Sequence, residues 1–364
     1  MKKSQEIGPR LLDNVEEVDE SWLAAVLRTS GHAGAVVNGF EVRPIGVGNV
    51  GDTVRIALRF AGPTSAPTSL VCKFRCTHPA AHAHGVNSGS YLREVGSYST
   101  MFSGAGGCRT PRLFWVDGGA ENINLVIEDL CEKTRAGDQI AGCCPEDARS
   151  VVVELARLHS SSYPMTPNEA PAWAIRMADV VDYWMAATDR ALPVIRNHLS
   201  ERLTADEMAE VEGACAIARA WYLLPMARGA LTHGDPRVDN ILFEDRPDGV
   251  QAVLIDWQMT GWRNPMHDVG YFLSGSLSVE DRRAHERQFL ADYAAIFGDD
   301  GRYELATIEQ DYRVQLLSGL LTTIACYGIL QLTPSVDRLL IALMRRNIAA
   351  VADWSSVEAV RRTI

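Results

Sequence analysis

Apolar positions change their period partway along the chain. Asp19-Glu20-Ser21 ahead of Trp22-Leu23-Ala24-Ala25-Val26-Leu27 reads as a capped amphipathic helix over about residues 19–30, stopped at Gly31. Residues 40–45 form a short strand candidate. Val54, Ile56, Leu58 and Phe60 then alternate with Thr53, Arg55, Ala57 and Arg59, the two-residue period of a half-buried strand. A third strand over 69–74 carries Lys73, a helix over 90–102 carries Glu94, and a further strand over 122–127 ends in Glu128-Asp129-Leu130. Beyond Cys143 the period becomes helical, over 145–159, 177–198, 205–223, 279–297 and from Tyr303 onward. One hairpin interrupts it, residues 240–244 and 251–256, where Pro247 and Gly249 supply the turn. Strands first and helices after give an α+β fold in two lobes, residues 1–130 and 131–364.

Composition narrows the class. The chain has 364 residues, 47% hydrophobic and 22% charged, which suits a globular protein of about two domains rather than a disordered or fibrous one. A net charge of −11 argues against a nucleic-acid partner bound through a broad basic surface. It leaves room for an anionic ligand in a locally positive pocket. The eight cysteines lack CxxC or disulfide-framework spacing, the pattern of reduced thiols. The first residues, Met1-Lys2-Lys3-Ser4, carry no apolar signal segment, so a cytoplasmic location is expected. Residues 314–336 hold no charge and are long enough to span a bilayer. Gln315, Gly319, Thr322, Thr323 and Gly328 interrupt them, which favours a buried core helix and no membrane association. The oligomeric state stays open.

Two segments carry candidate chemistry. Gly46, Gly48 and Gly51 spell GxGxxG, but a strand follows where a dinucleotide-binding fingerprint requires a helix. A glycine turn between strands suits either an ordinary hairpin or a flap whose backbone N–H groups reach nucleotide phosphates. The second segment runs His233-Gly234-Asp235-Pro236-Arg237-Val238-Asp239-Asn240, with Asp256 at the far end of the hairpin. A carboxamide and two carboxylates placed by a loop and two close strands can converge. Hard oxygen donors suit Mg²⁺ shared with substrate phosphates, and Asp235 could accept a proton from a substrate hydroxyl. Any one of these residues alone would more often be a turn cap. Among the histidines, His78, His82 and His84 read as a solvated loop rather than a zinc site. His159 reads as core, His233 as holding the loop, and Asp268 as bracing it. Trp257 and Trp262 fit either the border of a pocket or the core.

On these residues the sequence resembles the aminoglycoside phosphotransferase and choline kinase-like superfamily, relatives of the protein kinases, and most closely its ecdysteroid-kinase-like and bacterial phosphotransferase branch. His233-Gly234-Asp235 with Asn240 matches the family's catalytic loop, and Ile255-Asp256-Trp257-Gln258 its metal-binding segment. Val71-Cys72-Lys73 stands at the strand lysine, and residues 125–130 resemble the hinge. The resemblance implies a protein-kinase-like fold, with a small β-rich N-terminal lobe, a larger helical C-terminal lobe and nucleotide in the cleft between them. It implies Asp235 as the catalytic residue and Asn240 and Asp256 as Mg²⁺ ligands. Lys73 would hold phosphates with Glu94 as its ion-pair partner, beneath the glycines 46, 48 and 51. Backbone groups around Glu128 and Leu130 would meet the base. The implied reaction is transfer of the γ-phosphate of ATP, with GTP also open, to a hydroxyl of a small-molecule alcohol: an aminoglycoside, amino alcohol, sugar or steroid-like alcohol. The other reading is a catalytically silent, nucleotide-binding scaffold, which the complete set Lys73, Asp235, Asn240 and Asp256 argues against. Asp52, an acidic residue beside the glycine loop, departs from the pattern.

Overall fold

In the computed structural model, residues 8–46, 50–101, 107–298 and 301–363 are described. The chain divides into two compact units. The first takes residues up to 105, 110–133 and the short segment 256–259; the second takes 106–109, 134–255 and 260–364.

In the first unit, helix α1 (Glu20–Thr29) starts on Asp19, whose carboxylate accepts from the Trp22 N–H at 2.7 Å, the capping geometry that the sequence foreshadowed. Strands β1 (Val37–Pro44), β2 (Gly51–Phe60) and β3 (Ser69–Arg75) are followed by helices α2 (Pro79–Ser88) and α3 (Ser90–Thr100). Strands β4 (Leu113–Gly118) and β5 (Ile123–Glu128) complete a five-stranded antiparallel sheet in the order β1-β2-β3-β5-β4. Alternation decides its faces. Leu70, Cys72 and Phe74 point into the core with Val54, Ile56 and Leu58, packed against Trp22, Leu23, Val26 and Leu27 of α1. Trp22 lies edge-on to Trp115, ring centroids 5.7 Å apart. Lys73, one position out of phase with Cys72 and Phe74, is thereby committed to the opposite face, on the central strand.

Residues 78–84 correct an expectation. They are not a solvated loop: Pro79 opens α2, and His82 stacks on Tyr91, ring centroids 5.7 Å apart. Pro at the first helical turn loses no intrahelical bond, which lets the helix begin there.

The second unit holds β6 (Arg135–Ala136), α4 (Pro145–Ser160), α5 (Met177–His198) and α6 (Ala205–Tyr222). Then come β7 (Ala230–Thr232), β8 (Ile241–Arg246), β9 (Gly249–Leu254) and β10 (Gly261–Arg263). Helices α7 (Met266–Ser276), α8 (Val279–Phe297), α9 (Leu305–Gln315), α10 (Leu317–Ile329), α11 (Pro334–Asp353) and α12 (Ser356–Arg361) close it. The hairpin pairs Ile241 with Leu254 and Arg246 with Gly249, so its turn is tighter than expected. Strand β7 pairs antiparallel with β10, Leu231 opposite Trp262.

The uncharged stretch 314–336 is not one long helix but the end of α9, all of α10 and the start of α11. Among the described residues no helix is long and apolar enough to cross a membrane. Helix α10 is a core helix: Leu317, Leu320, Leu321, Ile324 and Ala325 are fully buried. It lies so close to α5 that a Cβ on Gly328 would come within 2.2 Å of the Ala187 carbonyl oxygen.

Candidate active site

Within the first unit, three residues far apart in sequence meet. Lys73 Nζ lies 2.6 Å from Glu94 Oε2 and 3.3 Å from Asp256 Oδ1. Strand β3 supplies the lysine and α3 the glutamate, which sits in the buried stripe of its helix. Burial alone would lower the Lys73 pKa, but the carboxylates of Asp256 and Glu94 outweigh it and raise it, so the ammonium stays charged. Burial raises the Glu94 pKa, and Lys73 opposes that shift.

Glycine is required beside this cluster. Gly51 pairs across from Arg75, and a Cβ there would approach Lys73 Cε to 2.9 Å and the Phe74 carbonyl oxygen to 3.0 Å. Gly46 has φ +73, a left-handed conformation that favours glycine. Gly48 lies outside the described residues. Asp52, unexpected near phosphates, accepts the Thr77 N–H at 2.9 Å and so ties β2 to the start of α2.

At the positions expected to form the hinge, Glu128 donates its N–H to the Arg112 carbonyl at 2.8 Å and pairs with Lys133 at 3.2 Å. Leu130 is buried, and its carbonyl accepts the Lys133 N–H at 2.9 Å. Asp129 behind them is ion-paired with Arg55.

In the second unit the loop between β7 and β8 is held from below. Asp268, in the first turn of α7, accepts the N–H groups of His233 at 2.6 Å and Gly234 at 3.0 Å. His159 on α4 binds the same carboxylate through Nε2 at 3.1 Å, and both side chains are fully buried. Burial would raise the Asp268 pKa, but the hydrogen bond from His159 and the neighbouring His267, whose Nδ1 stands 3.6 Å from Oδ1, hold it far below the carboxylate range. Gly234 turns the chain with φ +85. His233 Nδ1 accepts the Asp235 N–H at 3.3 Å, so the other nitrogen, Nε2, carries the proton and donates to the Ile255 carbonyl at 2.9 Å.

Asp235 and Asn240 meet directly. The Asn240 amide donates to the Asp235 backbone oxygen at 2.9 Å and to its Oδ2 at 3.1 Å, committing Nδ2 and turning the amide oxygen to other partners. Tyr271 on α7 donates its hydroxyl to Asp235 Oδ1 at 2.9 Å, and Arg237 Nε stands 3.5 Å from Oδ2. The Val238 N–H donates to Gln139 Oε1 at 2.6 Å, and Asp239 Oδ1 accepts the Gln139 N–H at 2.9 Å. This buried glutamine braces the loop from outside.

Trp257 and Trp262 are both core residues; Trp262 donates through Nε1 to the Met165 carbonyl at 3.0 Å. Sequence reasoning missed Tyr271, Gln139 and Gln258, the last two residues past Asp256. Only Gln258 stood inside a recognisable segment. Tyr271 and Gln139 owe their roles to tertiary placement.

Residues 99–306 match the family model described as the phosphotransferase enzyme family, a span of more than half the chain. No curated protein sequence matches. Among solved structures, a microcompartment-associated aminopropanol kinase aligns with a TM-score of 0.53 at 16% identity, covering 94% of this chain and 99% of that one. An ethanolamine kinase from Plasmodium vivax aligns with a TM-score of 0.50 at 10% identity, covering 92% and 90%. Identities this low show a shared fold, the one found in these small-molecule kinases. The chain belongs to the phosphotransferase enzyme family.

Proposed function

We propose that this member of the phosphotransferase enzyme family transfers the γ-phosphate of ATP to a hydroxyl of a small molecule. The observation that carries the reading is the meeting of Lys73, Glu94 and Asp256, three residues drawn from separate segments, around one charged ammonium. A structural ion pair needs one carboxylate. A second carboxylate on the same partly buried lysine suits phosphate and metal handling, because positioning and charge neutralisation dominate phosphoryl transfer.

Lys73 would hold the nucleotide phosphates, with Glu94 fixing its direction and Gly51 keeping its path clear. Asp235 would accept the proton of the acceptor hydroxyl. Asn240 and Asp256 would hold Mg²⁺, which supplies neutralisation of the phosphate charge when bound. The donor chemistry fits that ion: one carboxylate and one carboxamide oxygen, both hard. Among the described residues no group of three or more His, Cys, Asp or Glu side chains forms a closed metal site. Mg²⁺ does not need one, since it keeps waters and shares phosphate oxygens.

The acceptor is proposed only as an alcohol. Aminoglycosides, amino alcohols, sugars and steroid-like alcohols all present the required hydroxyl, and one fold serves many pockets. The reading is tested by screening such alcohols for acceptor-dependent ATP consumption and identifying the product by mass. Consumption with a phosphate adduct supports it; nucleotide binding with no transfer to any class would leave a scaffold instead.

A further inference from the structure

Asp256 is held more tightly than a lone metal ligand needs to be. Lys73 Nζ engages Oδ1 at 3.3 Å, and Gln258 Nε2 donates to Oδ2 at 2.8 Å. One donor on each oxygen leaves lone pairs on both for a cation. The Gln258 backbone is itself anchored: its carbonyl accepts from Arg93 Nε at 2.6 Å, and Arg93 immediately precedes Glu94 on α3. Helix α3 therefore grips the segment through Arg93 and its lysine through Glu94. Asp256 has φ +66, a left-handed backbone that costs a non-glycine residue about 1–3 kcal/mol and persists only where the surroundings impose it.

The remaining atom of the Gln258 amide is the informative one. Oε1 is buried and has no hydrogen-bond partner among the described residues. Rotating the amide would set its oxygen against the Asp256 carboxylate, so the carboxylate fixes which end carries the carbonyl. An orphaned buried amide oxygen costs about 1–3 kcal/mol, which a partner bound in use would recover. Resting on the reading above, we infer that Gln258 is a positioning residue of the metal site: its N–H fixes the direction of the Asp256 carboxylate, and its carbonyl accepts a hydrogen bond from a water carried by the bound Mg²⁺. Such outer partners commonly tune metal affinity about 10–100-fold.

The experiment titrates the full-length protein with ADP by calorimetry at a series of Mg²⁺ concentrations, with no acceptor present. Gln258→Met, which keeps volume and removes the amide, is expected to need about tenfold more Mg²⁺ for the same ADP affinity. Metal-free ADP affinity and melting temperature stay as in wild type, which separates positioning from a structural defect. Gln258→Asn keeps the amide one methylene short of Asp256 and is expected to show the same shift; it serves if the methionine variant does not fold. Wild-type Mg²⁺ dependence in the folded variants, with Asp256→Ala losing that dependence, overturns the role of Gln258 alone. Absence of Mg²⁺-dependent ADP binding in the wild type overturns both this inference and the phosphotransferase reading.

Discussion

The hydroxyl of Tyr271 donates to Asp235 Oδ1 across 2.9 Å, while Asn240 takes Oδ2 at 3.1 Å. The carboxylate proposed to receive the acceptor proton is thus gripped on both oxygens and cannot swing. Burial raises the Tyr271 pKa well above its ordinary value, with the Asp235 charge adding to it, so the phenol stays a neutral donor. Tyr271→Phe is expected to lower turnover about tenfold, near the worth of one hydrogen bond to a charged group, with nucleotide affinity unchanged. Steady-state kinetics on the identified acceptor, alongside ADP calorimetry, measures the split.

Lys73→Met strands two carboxylates. Breaking a buried pair costs about 3–5 kcal/mol, and the small exposure of the lysine puts the expected loss at the lower end. The loss depends on pH in a defined direction. Burial raises the Glu94 pKa, and without Lys73 nothing opposes it. A carboxyl whose folded pKa exceeds its unfolded one binds more protons when folded, so stability falls as pH rises through the unfolded value. Urea melts at pH 5 and pH 8 should find the variant closer to wild type at the lower pH.

Asp268→Asn tests the brace beneath the loop that carries Asp235. The folded Asp268 pKa is depressed, so its contribution is full above the unfolded pKa of about 3.9 and declines as pH falls toward the folded value. Asparagine cannot satisfy buried His159 and two loop N–H groups as an anion does. A loss of about 3–5 kcal/mol at neutral pH is expected, with a shallower acid limb than wild type below pH ~4. Chemical denaturation across pH 2–7 would show both.

Gly51→Ala adds a methyl where Lys73 Cε and the Phe74 carbonyl already stand at about 3 Å. The lysine tail can yield and the backbone cannot. An overpacking cost of about 1–3 kcal/mol is expected, together with a several-fold loss of ADP affinity as the ammonium is displaced. Thermal melts and calorimetry read the two effects separately.

The sequence made some of this legible for physical reasons. The resemblance of Val71-Cys72-Lys73 to the family's strand lysine, with Glu94 on the helix that follows, implied the pair that stands at 2.6 Å. The chain segment around Asp235 was readable because short loops fix relative positions locally. Asp52 was not: its partner, the Thr77 N–H, arises only when β2 and the start of α2 come together. Tyr271 and Gln139 likewise act across 36 and 99 residues of chain, on Asp235 and Val238, distances over which no periodicity reports. The left-handed backbone at Asp256 is invisible for another reason, since that conformation ordinarily announces itself through glycine. Helix periodicity also misjudged 78–84, where three histidines and alanines carry no apolar stripe but Pro79 starts a helix all the same.

The most direct test incubates wild type and Asp235→Asn with Mg-ATP and a panel of alcohols and follows each acceptor for a phosphate adduct by mass. The wild type is expected to phosphorylate at least one class, and the variant to do so about 10²–10⁴-fold more slowly while still binding ADP. Adduct formation by Asp235→Asn within a few-fold of wild type would contradict the account.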